Sequence, residues 1–409
     1  MIFFFVVYLL FLLYYLKRSR AVSFLIALQV ASIAAGMVAA HTVNIQSATD
    51  VVWVILIMFG TLMIALPWKS NKGEIEIIGS PAKIDKVYRI LSIILWPVLV
   101  ILLVAAIWVF MFATVDINAF KYQGGSMDFY YTMLPFDVHF FILATLLYNY
   151  SYLMIPLCLY YLQRRDKRKA LVCLILSMNI ILYGATFFSR WSIIHFVLLF
   201  IFNYLLMYRS ISFKIGKKTK MFIAVAAVGL VLAFNFITSS RFDENKFYEG
   251  TMNQESIVKN PAVYSLFDYL GQSTPHGFAL MQMYHGETMH GTMATTAVRD
   301  YLSLVGLRFY DRDKLADRRT KLMGEEYDGG FQSFFSYMTY DFGIIGAVIV
   351  ILLYYLGIKK NLRHRMSINR YLLLCIWSEI PLLSIFYSSL SATLGLSFIY
   401  IPIYLYLKK

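Results

Sequence analysis

The chain has 409 residues, of which 60% are hydrophobic and 15% charged, and its mean hydropathy is +0.65. That balance excludes an ordinary soluble globular protein, in which about a quarter of residues are charged. The net charge of +14 does not point to nucleic acid. The basic residues lie in short loops between apolar runs, where they report membrane orientation and contact with anionic lipid.

A bilayer core of about 30 Å needs roughly 20 apolar residues per helix. In chain order, such runs cover residues 2–16, 21–40, 51–68, 90–113, 138–162, 170–187, 191–208, 221–238, 335–357, 371–387 and 390–407. They predict an all-α, polytopic integral membrane protein with about eleven transmembrane helices. The first run has neither the basic leader nor the small-residue cleavage site of a secretory signal, so it is read as a span.

The loops set the orientation. Lys17, Arg18 and Arg20 follow the first span; Lys69, Lys72, Lys83, Lys86 and Arg89 lie between the third and fourth; Arg164, Arg165 and Lys167–Lys169 follow the fifth. Further groups are Arg209 with Lys214–Lys220, Lys359–Arg370, and the terminal Lys408 and Lys409. These groups fall on alternate sides of successive spans and hold 25 of the 37 basic residues, so they mark the cytoplasmic face. The N-terminus is then outside and the C-terminus inside. Three segments result: spans one to eight over 1–238, a large outer loop over 239–334, mostly helical, and spans nine to eleven over 335–409. Cys158, Cys173 and Cys375 all lie within spans, which argues against a disulfide framework. No metal and no cofactor site is expected.

Beyond the first outer loop (41–50), the second (114–137) mixes Tyr and Phe with Gly124 and Gly125. It reads as an interfacial aromatic belt, with a sugar-stacking platform as the alternative. In the long loop, Asn260 and Pro261 form a helix start, and the helix closes at Gly271. A second helical run covers about 295–322. On it Arg308, Arg312 and Arg319 fall within about 40° of one another. They form either a salt-bridged solvated face or a cationic face for phosphate or an anionic sugar chain. His276, His285 and His290 are the histidines of this loop, and an imidazole can serve as general base near neutral pH.

Arg190 interrupts two apolar runs at the tight outer turn between the sixth and seventh spans. A snorkelling side chain is one reading; an anion site at a helix start is the other. Arg241 has the same depth after the eighth span, and two such arginines at one level could clamp a diphosphate. His195 and Glu379 are intramembrane polar residues and qualify on the same grounds.

The order of these features resembles the bacterial oligosaccharide repeat-unit polymerases, the O-antigen and capsular polysaccharide polymerases. The resemblance rests on Ser189–Arg190, on Arg241 at the opening of a large outer loop, and on the closing segment FQSFFSYMTYDFGIIG with Tyr340–Asp341–Phe342–Gly343 and Gly346. It implies a C-type glycosyltransferase-like bundle in the bacterial inner membrane that acts without a nucleotide sugar. Its partners would be undecaprenyl-diphosphate-linked glycans, membrane lipid and a chain-length regulator protein. Arg190 and Arg241 would be catalytic, as would His276 or His290 as base, with Glu325, Glu326 and Asp328 also eligible. Arg299, Arg308, Arg312, Arg319, Tyr340 and Asp341 would bind substrate, Asp341 alternatively capping or orienting the helix after it, while Gly343 and Gly346 would permit close helix packing. Arg318 with Gly329, and Arg319 with Gly330, match an Arg-x10-Gly spacing of some polymerases. The related O-antigen ligases carry a His–Asn pair where this chain has Gln332 and Ser333, which favours polymerase over ligase. A flippase or other transporter, and a non-enzymatic scaffold, are the remaining alternatives; no internal repeat of the kind many transporters show is evident.

The alternation of basic loops has a direct test. Reporters fused after Lys169 and Lys220 are expected to be cytoplasmic, and those after Gly250 and Arg319 outside. A cytoplasmic signal at Gly250 would overturn the outer placement of the long loop.

Overall fold

Polar residues at the ends of the apolar runs decide where the helices start, because the first N–H groups of a helix need acceptors. Ser19 caps α2 (Arg20–Val38), which follows α1 (Ile2–Tyr15). Ser47 and Asp50 form a reciprocal capping box at α3 (Ala48–Ala65). The structure, a computed structural model, describes residues 1–69, 75–112, 130, 133–187, 189, 191–211, 253–307, 311–324 and 331–408. Two short strands, Glu76–Ile78 and Arg365–Ser367, accompany a helical chain.

Six helical stretches among the described residues are long and apolar enough to cross a membrane: 20–38, 48–68, 81–109, 138–163, 167–186 and 334–361. They coincide with six of the expected spans. Their lipid-facing character is plain in α4 (Pro81–Phe112), where Ile93 is 73% exposed, and in the 334–361 helix, where Ile345 is 78% exposed. Large apolar side chains left bare along one side of a long helix fit a hydrocarbon surround.

The other expected spans differ. Helix α1 has 14 residues, short of a bilayer crossing by itself. The run 221–238 lies outside the described residues.

The chain divides into two units, Met1–Ile75 with Tyr248–Leu405, and Glu76–Phe247 with Tyr406–Lys409. In the second unit α4 is followed by α5 (Val138–Leu147), α6 (Met154–Gln163), α7 (Lys167–Ser177), α8 (Asn179–Thr186) and α9 (Trp191–Met207). At 17 residues, α9 is again shorter than the expected seventh span. Asn179 donates to Leu95 O (3.3 Å) and Ser151 Oγ (3.1 Å), tying α8 to α4. Asp85 accepts from Tyr161 (2.7 Å) and Lys169 (2.9 Å), so two loops expected on the same side meet. Tyr130, an aromatic of the expected second outer loop, is fully buried. It stacks on Phe141 at 4.8 Å and donates to Thr186 O (2.8 Å), a core role rather than a belt role.

In the first unit α1–α3 join a series of helices from the second half of the chain. These are α10 (Pro261–Gly271), α11 (Ser273–Met283), α12 (Thr292–Leu304), α13 (Arg312–Met323), α14 (Phe334–Asn361), α15 (Ile368–Trp377), α16 (Glu379–Leu383), α17 (Leu390–Ile399) and α18 (Ile401–Lys408). The run 371–387 is interrupted: α15 ends at Trp377 and α16 starts at Glu379. Pro381 has no N–H to offer the Trp377 carbonyl, and the Tyr354 hydroxyl occupies that carbonyl at 3.2 Å. The last expected span bends by 55° between α17 and α18, where Pro402 again removes a donor. Helix α10 starts as expected, with Asn260 accepting from Val263 N (3.1 Å) ahead of Pro261. Gly271, read as a terminator, has a different reason to be glycine. A Cβ on Gly36 would lie 2.8 Å from the Gly271 carbonyl oxygen, and one on Gly271 would strike the Gly36 backbone. Ser32 Oγ donates to Leu270 O (2.7 Å) beside this crossing of α2 and α10.

Gly271→Val should therefore force α10 off α2 and destabilise the protein by about 1–3 kcal/mol. The check is the thermal midpoint in detergent, with Gly357→Val, at a glycine with open space around it, as the control that should change little.

Candidate functional site

The polar residues of the first unit gather where the loop helices α10–α13 meet the ends of α2, α3 and α14. Helix α14 starts behind the Ser333 cap and runs through Tyr340 and Asp341. It breaks at Gly343, whose φ of 75° and ψ of 170° are essentially reserved for glycine. This break, rather than close packing on a neighbouring helix, is what requires glycine there. A Cβ on Gly346 would meet Phe342 of the same helix (2.7 Å).

Just before the break, the loop is hooked onto α14. Tyr340 donates to Leu280 O (2.9 Å), and its carbonyl accepts from Met289 N (2.8 Å). The Asp341 carboxylate accepts from Met293 N (3.1 Å) and Ala294 N (2.7 Å), and its carbonyl from Gly291 N (3.0 Å). Asp341 thus caps α12, a helix earlier in the chain, and not the helix that follows it. Both side chains are buried, Tyr340 in an apolar cluster with Leu280, Met289, Met293 and Met323. Their polar atoms are engaged by backbone, which makes them the anchor of the site rather than its substrate-facing surface. Arg299, on α12, is a cation whose field reaches the Asp341 carboxylate.

The cationic stripe is rearranged. The expected helix over 295–322 is two helices, interrupted after Leu304, with Gly306 at φ 86°. Arg312 and Arg319, seven residues apart, both lie on α13. Arg308 lies outside the described residues, and Arg312 opens α13 behind the Asp311 cap. Arg319 lines a cleft of about 340 Å³ with Thr296, Asp300, Leu315 and Tyr337. Its neighbour Arg318 donates to Thr288 O (2.8 Å) and to His290 Nε2 (3.2 Å), while His290 Nδ1 pairs with Thr288 Oγ1 (2.9 Å). With both ring nitrogens engaged, His290 is a poor proton acceptor here.

Arg190 and Arg241, the expected anion clamp, lie outside the described residues. The turn that carries Arg190 is short, as read: α8 ends at Thr186, Ser189 N donates to Gly184 O (2.8 Å), and α9 begins at Trp191. Within the second unit His195 is buried, its Nδ1 3.3 Å from the Tyr152 hydroxyl, and in the first unit Glu379 is buried at the start of α16.

One cluster was not legible in the sequence. Helix α2 ends with Ala40 in the left-handed region (φ 62°), and His41 N reaches back to Gly36 O (2.8 Å). The long loop clasps this end: Asn253 donates to Ala40 O (3.1 Å) and Ser256 to Val38 O (2.9 Å). His41 Nε2 then lies 2.8 Å from Asp268 Oδ1 on α10. The His276 ring from α11 stands edge-on to His41, centroids 6.1 Å apart. Gln282 of α11 reaches Asp50 (2.9 Å), so the first outer loop and the long loop share one end of the helices. Burial pushes the Tyr264 and Tyr284 hydroxyls up from the ordinary range.

Fold and site together define a multi-span helical membrane protein with an arginine- and histidine-bearing assembly beside its apolar helices. No family model, no curated protein and no solved structure matches this chain.

Removing the Asp341 carboxylate leaves the first turn of α12 without its acceptors. Asp341→Ala is expected to lower stability by about 1–2 kcal/mol or more, read as an earlier thermal midpoint. Gly343→Ala should cost about 1–3 kcal/mol through backbone strain alone. A midpoint unchanged in both would remove the anchor.

Proposed function

We propose that this protein is an integral-membrane glycosyltransferase of the inner membrane. It polymerises polyprenyl-diphosphate-linked oligosaccharide repeat units on the outer face, building an O-antigen or similar surface polysaccharide. The observation that carries this reading is the placement of an apolar groove and a polar cleft on either side of α12. The groove, about 490 Å³, is bordered by Ala294 and Thr295 of α12 and follows α14 from Phe342 to Asn361, with Trp377, Leu390 and Leu394 on its other wall. Beyond the Gly343 break, at 1.5 Å per residue, that stretch of α14 is about 26 Å long, close to the depth of a bilayer core. The cleft uses the other side of α12, Met293, Thr296 and Asp300, and holds Arg319. An isoprenoid tail suits the first and a charged or hydroxylated head group the second.

The chemistry fits the residues. A lipid diphosphate is already a good leaving group, so catalysis consists largely of neutralising its developing charge, together with a base for the acceptor hydroxyl. Arg190 and Arg241 would carry that neutralising charge at the membrane edge. The Asp341 carboxylate already occupies the first turn of α12, so that helix end contributes little to anion binding and arginine must supply the charge.

The test is the surface glycan of a deletion strain complemented with variants. Loss of a polymerase leaves one repeat unit on the acceptor; loss of a ligase leaves none; loss of a flippase traps units inside. The expected pattern is the first. Arg190→Ala and Arg241→Ala should each reproduce it with protein retained in the membrane, and Lys should restore it only in part, since it keeps charge but lacks the two-pronged geometry. Full-length chains from the deletion strain would exclude the polymerase reading.

A further inference from the structure

We propose that His41 is the general base that takes the proton of the acceptor hydroxyl and that Asp268 is its positioning residue; this rests on the glycosyltransferase reading above. Of the histidines singled out in the sequence, His290 fits the role less well, because both its ring nitrogens are engaged by Arg318 and Thr288. His276 stands edge-on beside His41, with ring centroids 6.1 Å apart.

His41 has the geometry of an oriented base. A carboxylate only accepts, so the 2.8 Å contact assigns the proton to Nε2 and leaves the Nδ1 lone pair as the basic site. Among the described residues no hydrogen-bond partner stands at Nδ1. The side chains are 18% and 30% exposed, open enough to admit a hydroxyl and enclosed enough to hold one rotamer. The backbone is held as well: Ala40 keeps a left-handed conformation that costs a non-glycine residue about 1 kcal/mol or more, and the clasp by Asn253 and Ser256 maintains it.

The step balances without a further reactant. The acceptor oxygen forms a bond to the anomeric carbon of the donor glycan, and the bond from that carbon to the diphosphate oxygen breaks. The electron pair leaves with the polyprenyl diphosphate. The hydroxyl proton passes to His41 Nδ1 and is then released to water.

The experiment uses full-length protein in lipid nanodiscs with the polyprenyl-diphosphate-linked repeat unit extracted from the deletion strain. His41→Gln places an amide where Nε2 was and can keep the Asp268 contact, but it has no basic nitrogen. The expected result is a fall in chain formation of at least about 100-fold, with the thermal midpoint retained. His41→Ala should fall likewise and recover in part with added imidazole, which a purely structural contact would not do. Asp268→Asn should lower the maximal rate by about tenfold or more while half-saturation by the lipid-linked unit stays the same. If wild-type protein polymerises and His41→Gln matches it, the base assignment is overturned and the polymerase reading stands. A His41→Gln variant that fails to fold shifts the decision to imidazole rescue of His41→Ala, whose absence in folded protein also overturns the assignment. Wild-type protein that forms no chains overturns both readings together.

Discussion

A fully buried carboxylate joins the loop helices to a membrane helix. Asp341 lies on α14 and accepts from the first-turn N–H groups of α12, 47 and 48 residues earlier in the chain. An unpaired buried carboxylate would be costly, and so would an uncapped buried helix start; each removes the other's cost. This contact sets where α12 begins and which of its sides face the groove and the cleft. Tyr340 supports it from one side and the Gly343 break from the other, so that α14 can turn away from the loop helices after making the contact.

The same rule governs the far end of α2. A helix leaving an apolar environment carries carbonyls with no helical partner, and the residues that follow must satisfy them. Here Asn253 and Ser256 from the long loop do so, together with the reach of His41 N back to Gly36 O. Satisfying these groups draws α10 onto α2, and the Gly36–Gly271 crossing allows the two backbones to touch. The placement of His41 against Asp268 is a consequence of this closure. In this chain the polar bonds that finish the helix ends also bring the chemistry-bearing residues together.

The proposed lipid-linked glycan transfer would divide its demands between fixed positive charge and a proton acceptor. Arginine serves the first because it stays ionised and offers paired donors; histidine serves the second because its neutral form predominates near pH 7. The first unit keeps these types apart. Arg318 and Arg319 stand on α13, while His41, Asp268 and His276 stand at the α2–α10–α11 junction. Arg318 and Thr288 engage the two ring nitrogens of His290, whereas His41 is held through Nε2 by Asp268.

The amino-acid sequence alone determined what depends on local composition. Apolar run length identified six helical stretches among the described residues that can cross a bilayer, capping chemistry identified the Asn260–Pro261 start, and the interruption of two apolar runs identified the short turn at Ser189. These are properties of contiguous residues, so they survive without knowledge of the fold. The helix expected over 295–322 failed where one residue changed the backbone, at Gly306, which separates α12 from α13, while Arg312 and Arg319 stay on one helix. Pro381 was visible, but its effect depends on Tyr354 standing ready to occupy the freed carbonyl. Only tertiary structure decided that Asp341 caps a helix earlier in the chain and that His41 meets Asp268 across 227 residues. No periodicity or motif encodes such a pair, because it arises from two helix ends that must share hydrogen bonds to leave the apolar layer together.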